Sequence, residues 1–118
     1  MLSEICLCVS NIKIAKINLE KADANLNETQ ERIMLEITNA KSEYEFAIEE
    51  YNNKKQNLGL AERIEQKNQI KFFEGISSSF ELRQAQTQLY GAQQEYLQTM
   101  FNIISKKADL DTVLNTIN

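Results

Sequence analysis

KFFEGISSSFELRQAQ, residues Lys71–Gln86, is where this chain carries the signals of a helix stop followed by a restart. Gly75 can take the left-handed conformation that closes a helix, and Lys71, in the turn before it, complements the negative end of the helix dipole. Three serines follow, Ser77, Ser78 and Ser79, each a good N-cap. Ser78 and Glu81 form a capping-box pattern, in which the hydroxyl accepts from the Glu81 amide and the carboxylate accepts from the Ser78 amide. Glu81 also sets negative charge at the positive end of the new helix. The stretch predicts a helix ending near residue 73, a tip turn at 74–78 with Ile76 at the bend, and a returning helix from residue 79.

Outward from this turn both flanks keep one apolar beat. Upstream, steps of four and three run through Ala15, Leu19, Ala22, Leu26, Thr29 and Ile33. One extra step of four, to Ile37, is a stutter that locally relaxes a supercoil. The beat resumes through Ala40, Tyr44, Ala47, Tyr51, Lys54, Leu58 and Ala61. Downstream it runs Leu82, Ala85, Leu89, Ala92, Tyr96, Thr99, Ile103, Lys106 and Leu110. Heptad spacing sustained over this length means helix packed on helix. The predicted fold is all-α, a long antiparallel hairpin with helices over about 11–73 and 79–115 and no sheet.

The seam alternates small residues with large ones, whereas a two-stranded zipper fills both positions with bulky side chains. Small residues in alternate layers let backbones approach closely, which suits tubes of antiparallel helices with neighbours on two sides. An ordinary antiparallel coiled coil with alanine-rich layers fits the periodicity equally well. The first helix is much the longer, so a simple hairpin leaves about a third of its seam, at Leu19, Leu26 and Ile33, without an intrachain partner. Gly59 is expected as a loosening point and Gly91, beside Ala92, as a place that admits a close neighbour.

Composition narrows the function. The 118 residues make one domain at most, with 42% hydrophobic residues and no proline, histidine or tryptophan. A net charge of −4 argues against nucleic acid as a partner, because a phosphate-tracking surface needs clustered Lys and Arg and those here are scattered. Basic and acidic residues alternate along the helices, as in Glu62–Lys67 and Glu50–Lys54, and predict weak pairing on a solvated face. Cys6 and Cys8 stand too close in sequence to bridge, and no histidine or further cysteine completes a metal site. With no phosphate-cradling loop either, neither an enzyme nor a cofactor is expected. MLSEICLCVS, residues 1–10, lacks the basic start and cleavage site of an export signal. No stretch approaches the ~18 apolar residues of a spanning helix.

The ordered set Phe72-x-x-Gly75-x-x-Ser78-x-x-Glu81-Leu82-x-x-Ala85, continuing to Leu89, Ala92 and Leu114, resembles the TolC-like outer-membrane efflux proteins. Upstream, Ala15-Lys16-Ile17-Asn18-Leu19-Glu20-Lys21-Ala22 is similar to the opening of that family's long helix, and residues 12–117 follow its layout. The resemblance implies a trimer whose chains each hold two structural repeats, giving strands to an outer-membrane β-barrel and helices to a periplasmic α-barrel. This sequence then corresponds to the second repeat's descending helix, tip turn and returning helix, in a duct that exports small molecules or proteins. Gly75, Ile76, Ser77, Ser78 and Ser79 would be the tip that docks a periplasmic adaptor, which links the duct to an inner-membrane pump. Glu81 and Gln84 would stand at the closed constriction, where Gln84 replaces a second acid. Ala15, Leu19, Ala22, Leu26, Ala40, Tyr44, Ala47, Tyr51, Leu82, Ala85, Leu89 and Ala92 would pack the tube wall.

The family also has departures here. Phe72 replaces a common tyrosine and loses its hydroxyl. Asn115, which tolerates the left-handed conformation, stands where glycine often ends the helix. Residues 1–10 look unlike the family's strands or signal peptide, so the expectation is a non-family segment at 1–10 and an efflux-duct hairpin at 11–118, a fragment or truncated product. Contact with the membrane would come only through barrel parts that this sequence does not contain. The family's place is the outer membrane and periplasm. The alternative is a soluble coiled-coil scaffold that oligomerises through the same seam.

Overall fold

The computed structural model describes residues 1–116. It holds two helices, α1 (Leu2–Phe73) and α2 (Ser79–Asn115), and no strand among the described residues. The last two residues of the expected 11–118 hairpin lie outside the described residues. The first helix begins at Leu2 and not near residue 11. Nothing in MLSEICLCVS breaks a helix, and Glu4 in the first turn suits the dipole. No helix is long and apolar enough to cross a membrane.

The chain divides into two compact units, Met1–Thr38 and Asn39–Asn118. The first is a single stretch of α1. Its seam residues up to Thr29, Leu19 and Leu26 among them, are exposed, while Ile33 and Ile37 are half-buried rather than bare.

The second unit is the hairpin, in which α2 packs antiparallel on α1. Its seam is narrow, as a two-helix contact must be, and the residues that close it are small. Ala47 is only 1% exposed, with Ala85 and Thr99 also buried. Their short side chains let the helices approach until large neighbours interdigitate above and below. The Thr99 hydroxyl donates to the Tyr96 carbonyl at 2.6 Å, so burying it leaves no polar atom unpaired. Next to it the Tyr51 and Tyr96 hydroxyls meet at 2.9 Å, with ring centroids 5.2 Å apart. Their hydrogen bond, with burial second, pushes the Tyr96 hydroxyl above its ordinary value.

The two lysines that interrupt the apolar beat reach across the seam. Lys54 Nζ lies 2.8 Å from Glu95, and Lys106 Nζ lies 2.8 Å from Glu43. Both ammonium groups are held above their ordinary range, chiefly by these hydrogen bonds. The expected Glu50–Lys54 pairing along one helix gives way to the cross-helix partner, with Glu50 acting only at a distance. The antiparallel register places an acid of the other helix beside each lysine. Such exposed pairs fix alignment more than they add stability.

Two local expectations are corrected. A Cβ built at Gly59 or Gly91 would meet nothing within 4 Å, and α1 and α2 run through them without a break. Gly59 is therefore not a break in α1, and the face at Gly91 is open. Asn115 does not turn left-handed either: Gly75 is the positive-φ residue of the described chain. The end of α2 simply continues its ladder, with the Thr116 N–H donating to the Thr112 carbonyl at 3.1 Å.

Candidate functional site

The apex of the hairpin is built from two interlocked helix ends. At the end of α1, Gly75 adopts φ 75°, which lets the chain fold back over the last turn. The Ile76 N–H then donates to the Lys71 carbonyl at 2.8 Å, and the Gly75 N–H donates to the Phe72 carbonyl at 3.0 Å. This is the Schellman arrangement, with a further bond from the Ser77 N–H to the Lys71 carbonyl at 3.2 Å. Carbonyls that the helix end would leave free are thereby satisfied.

At the start of α2, Ser78 is extended, with φ −80° and ψ 157°, and both halves of the capping box are present. The Glu81 N–H donates to Ser78 Oγ at 3.3 Å, and the Ser78 N–H donates to Glu81 Oε2 at 3.4 Å. The Ser77 hydroxyl donates to the same carboxylate oxygen. These bonds, that from Ser77 first, hold the Glu81 carboxyl below its ordinary value, with help from the Lys71 charge. Glu81 is thus committed to the turn. The bonds that shape the bend join residues within Ile70–Leu82.

The apex presents apolar side chains outward. Ile76 is 72% exposed, flanked by Phe73 at 79% and Phe80 at 72%. Phe73 and Phe80 were not singled out from the sequence. Their signal was their place off the heptad beat on either side of a turn, where no packing inside the hairpin can use a phenyl ring. Phe72 meets Phe73 edge-on, with centroids 6.1 Å apart. Three apolar side chains thus project around the turn.

The remaining site residues fall as follows. Gly75, Ser78 and Ser79 are exposed, and Ser77 is half-buried. Glu81 and Gln84 are exposed and line a shallow groove with Ile64, Asn68, Ala85 and Gln88. Ala40, Tyr44, Tyr51, Leu82, Leu89 and Ala92 are half-buried in the seam of the second unit, where Ala47 and Ala85 are fully buried. Ala15, Leu19, Ala22 and Leu26, in the first unit, are exposed. The structure does not bring these four against any other element.

Among known proteins, the family described as outer membrane efflux protein matches residues 8–116. No curated protein and no solved structure gives a significant match. The family match runs through both helices and the turn between them. The chain belongs to the outer membrane efflux protein family.

Proposed function

We propose that this chain serves as the helical hairpin of a periplasmic α-barrel in an outer-membrane efflux duct, with the first residues continuing the descending helix. In this role the chain is a transport component and not an enzyme. The seam gives it wall contacts in a trimer, and the apex at Gly75–Ser79 docks a periplasmic adaptor that joins the duct to an inner-membrane pump. The observation that supports the docking role is a turn held by its Schellman bonds and capping box that exposes Ile76, Phe73 and Phe80. A rigid apolar tip loses little conformational entropy when a partner binds. Glu81 and Gln84 take the constriction by their position, with Glu81 holding the turn at the same time.

The test is made in a full-length duct carrying this hairpin. Ile76→Asp leaves the turn hydrogen bonds in place and puts a charge at the centre of the apolar tip, and it should abolish efflux-dependent resistance while membrane trimers persist. Ser78→Ala, which removes a cap of about 1 kcal/mol, should leave most resistance intact. Resistance is read as minimum inhibitory concentration and trimers from the membrane fraction. Full resistance with Ile76→Asp would remove the docking role.

A further inference from the structure

The returning helix has three sides, and only its seam packs inside the hairpin. On one flank of that seam Glu81, Gln88, Glu95, Asn102 and Asp109 recur at every seventh residue of α2. Beside them, again seven apart, stand Gln84, Gly91, Gln98 and Ser105. Every member of both lines is polar or glycine. The other flank is the reverse. Phe80, Tyr90, Leu97, Phe101 and Ile104 lie exposed along it, interrupted by Arg83, Thr87 and Gln94.

The polar flank runs along one side of the hairpin. Near the apex, Glu81, Gln84 and Gln88 edge a groove with Ile64 and Asn68. Further along, Glu95, Gln98 and Asn102 edge another with Glu50 and Lys54. Both cross-helix ion pairs lie on this side, Lys54 with Glu95 and, in the groove next to Asn102, Lys106 with Glu43. On the same side α1 contributes Phe46 and Ile64, so the unbroken polar character belongs to α2. Amides and carboxylates cost free energy when stripped of water without new partners, so this flank is built to stay wet. A run of large exposed apolar side chains marks the opposite case, a surface that is covered in use.

We propose that the α2 flank from Gln84 through Gln88, Glu95 and Gln98 to Asn102 lines the water-filled lumen of the duct above its constriction. The stripe from Phe80 to Ile104 is then turned out of the path of the cargo. This lining rests on the constriction reading of Glu81 and Gln84, whose two lines it extends by roughly 30 Å. Cargo moving along it meets neutral amides and, at Glu95, a carboxylate already paired with Lys54. Such a wall holds neither anions nor cations tightly.

The test uses a full-length duct carrying this hairpin, with Cys6→Ser and Cys8→Ser as background and one new cysteine at a time. Conductance is recorded in planar bilayers before and after a membrane-impermeant, positively charged thiosulfonate, and labelling is checked by mass spectrometry. Gln84→Cys, Gln88→Cys and Gln98→Cys should each label and show a stepwise, irreversible loss of conductance. Tyr90→Cys and Leu97→Cys should keep theirs. Loss at Gln84→Cys with none at Gln88→Cys and Gln98→Cys would overturn the lining and leave the constriction standing. Cysteines at 88 and 98 that the reagent does not reach would count equally against the lining. Loss at Tyr90→Cys and Leu97→Cys, with none at the three polar positions, would overturn the constriction reading as well.

Discussion

Gly75 offers a graded test of how the hairpin closes. Its φ of 75° lies in the left-handed region, yet a Cβ added there meets nothing within 4 Å. Any cost of substitution is therefore backbone strain and not a clash. An L-residue pays roughly 1–2 kcal/mol in this region, asparagine least, alanine more and a β-branched residue most. The strain has a ceiling, because the turn can abandon the conformation and release the bonds from Gly75, Ile76 and Ser77. These are exposed and worth about 1 kcal/mol each, which caps the loss near ~3 kcal/mol. Gly75→Asn should cost under ~1 kcal/mol, Gly75→Ala about 1 and Gly75→Val about 2–3. For a unit of this size each kcal/mol moves the melting temperature by about 4–8 °C, so Val should fall well below Ala. Thermal circular dichroism at one fixed protein concentration reads the series. If alanine is tolerated as well as asparagine, or valine as well as alanine, the left-handed turn does not carry the stability assigned to it.

Two further outcomes follow from the seam and the cap. Ala47→Leu forces three extra carbons into a site that is 1% exposed, and should destabilise the hairpin by about 1–3 kcal/mol; a denaturant midpoint equal to that of the parent would show that the seam is loosely packed. The Glu81 carboxyl is depressed below its usual 4.5 in the folded chain, so its contribution is complete above that pH and is lost as pH falls through the lower folded value. The stability advantage of the parent over Glu81→Gln should therefore be constant near neutrality and shrink below about pH 4.5, and an advantage unchanged down to pH 2 would contradict the cap.

The turn was legible in the sequence because its chemistry is local. Gly75, Ser78 and Glu81 carry their roles within seven consecutive residues, and the bonds they make reach only near neighbours. The seam was legible as periodicity, which reports faces but not distances along them. For that reason Lys54 and Lys106 read as polar interruptions, although Glu95 and Glu43 stand opposite them. The signal was available, since a fixed turn sets the register of everything beyond it. Tyr51 and Tyr96 likewise belonged to the beat, and only the register shows that their hydroxyls meet. The start of α1 at Leu2 is not legible because residues 1–10 carry neither a cap nor a helix breaker to mark it. The outward rings of Phe73 and Phe80 stand off the repeating positions, where periodicity carries no signal.

The self-sufficiency of the bend also has a kinetic meaning. All the bonds that shape it join residues fewer than a dozen positions apart, so closing it costs little chain entropy. The pairs further from the bend, from Ala85 out to Lys106, each become nearly local once the pair before them has formed. Folding should then run as a zipper from a nucleus at the bend, fast for a chain with such distant contacts. Weakening the bend with Ser78→Ala would slow folding, while damage near Lys106 would instead speed unfolding. Stopped-flow rates that showed the reverse would place the nucleus in the seam.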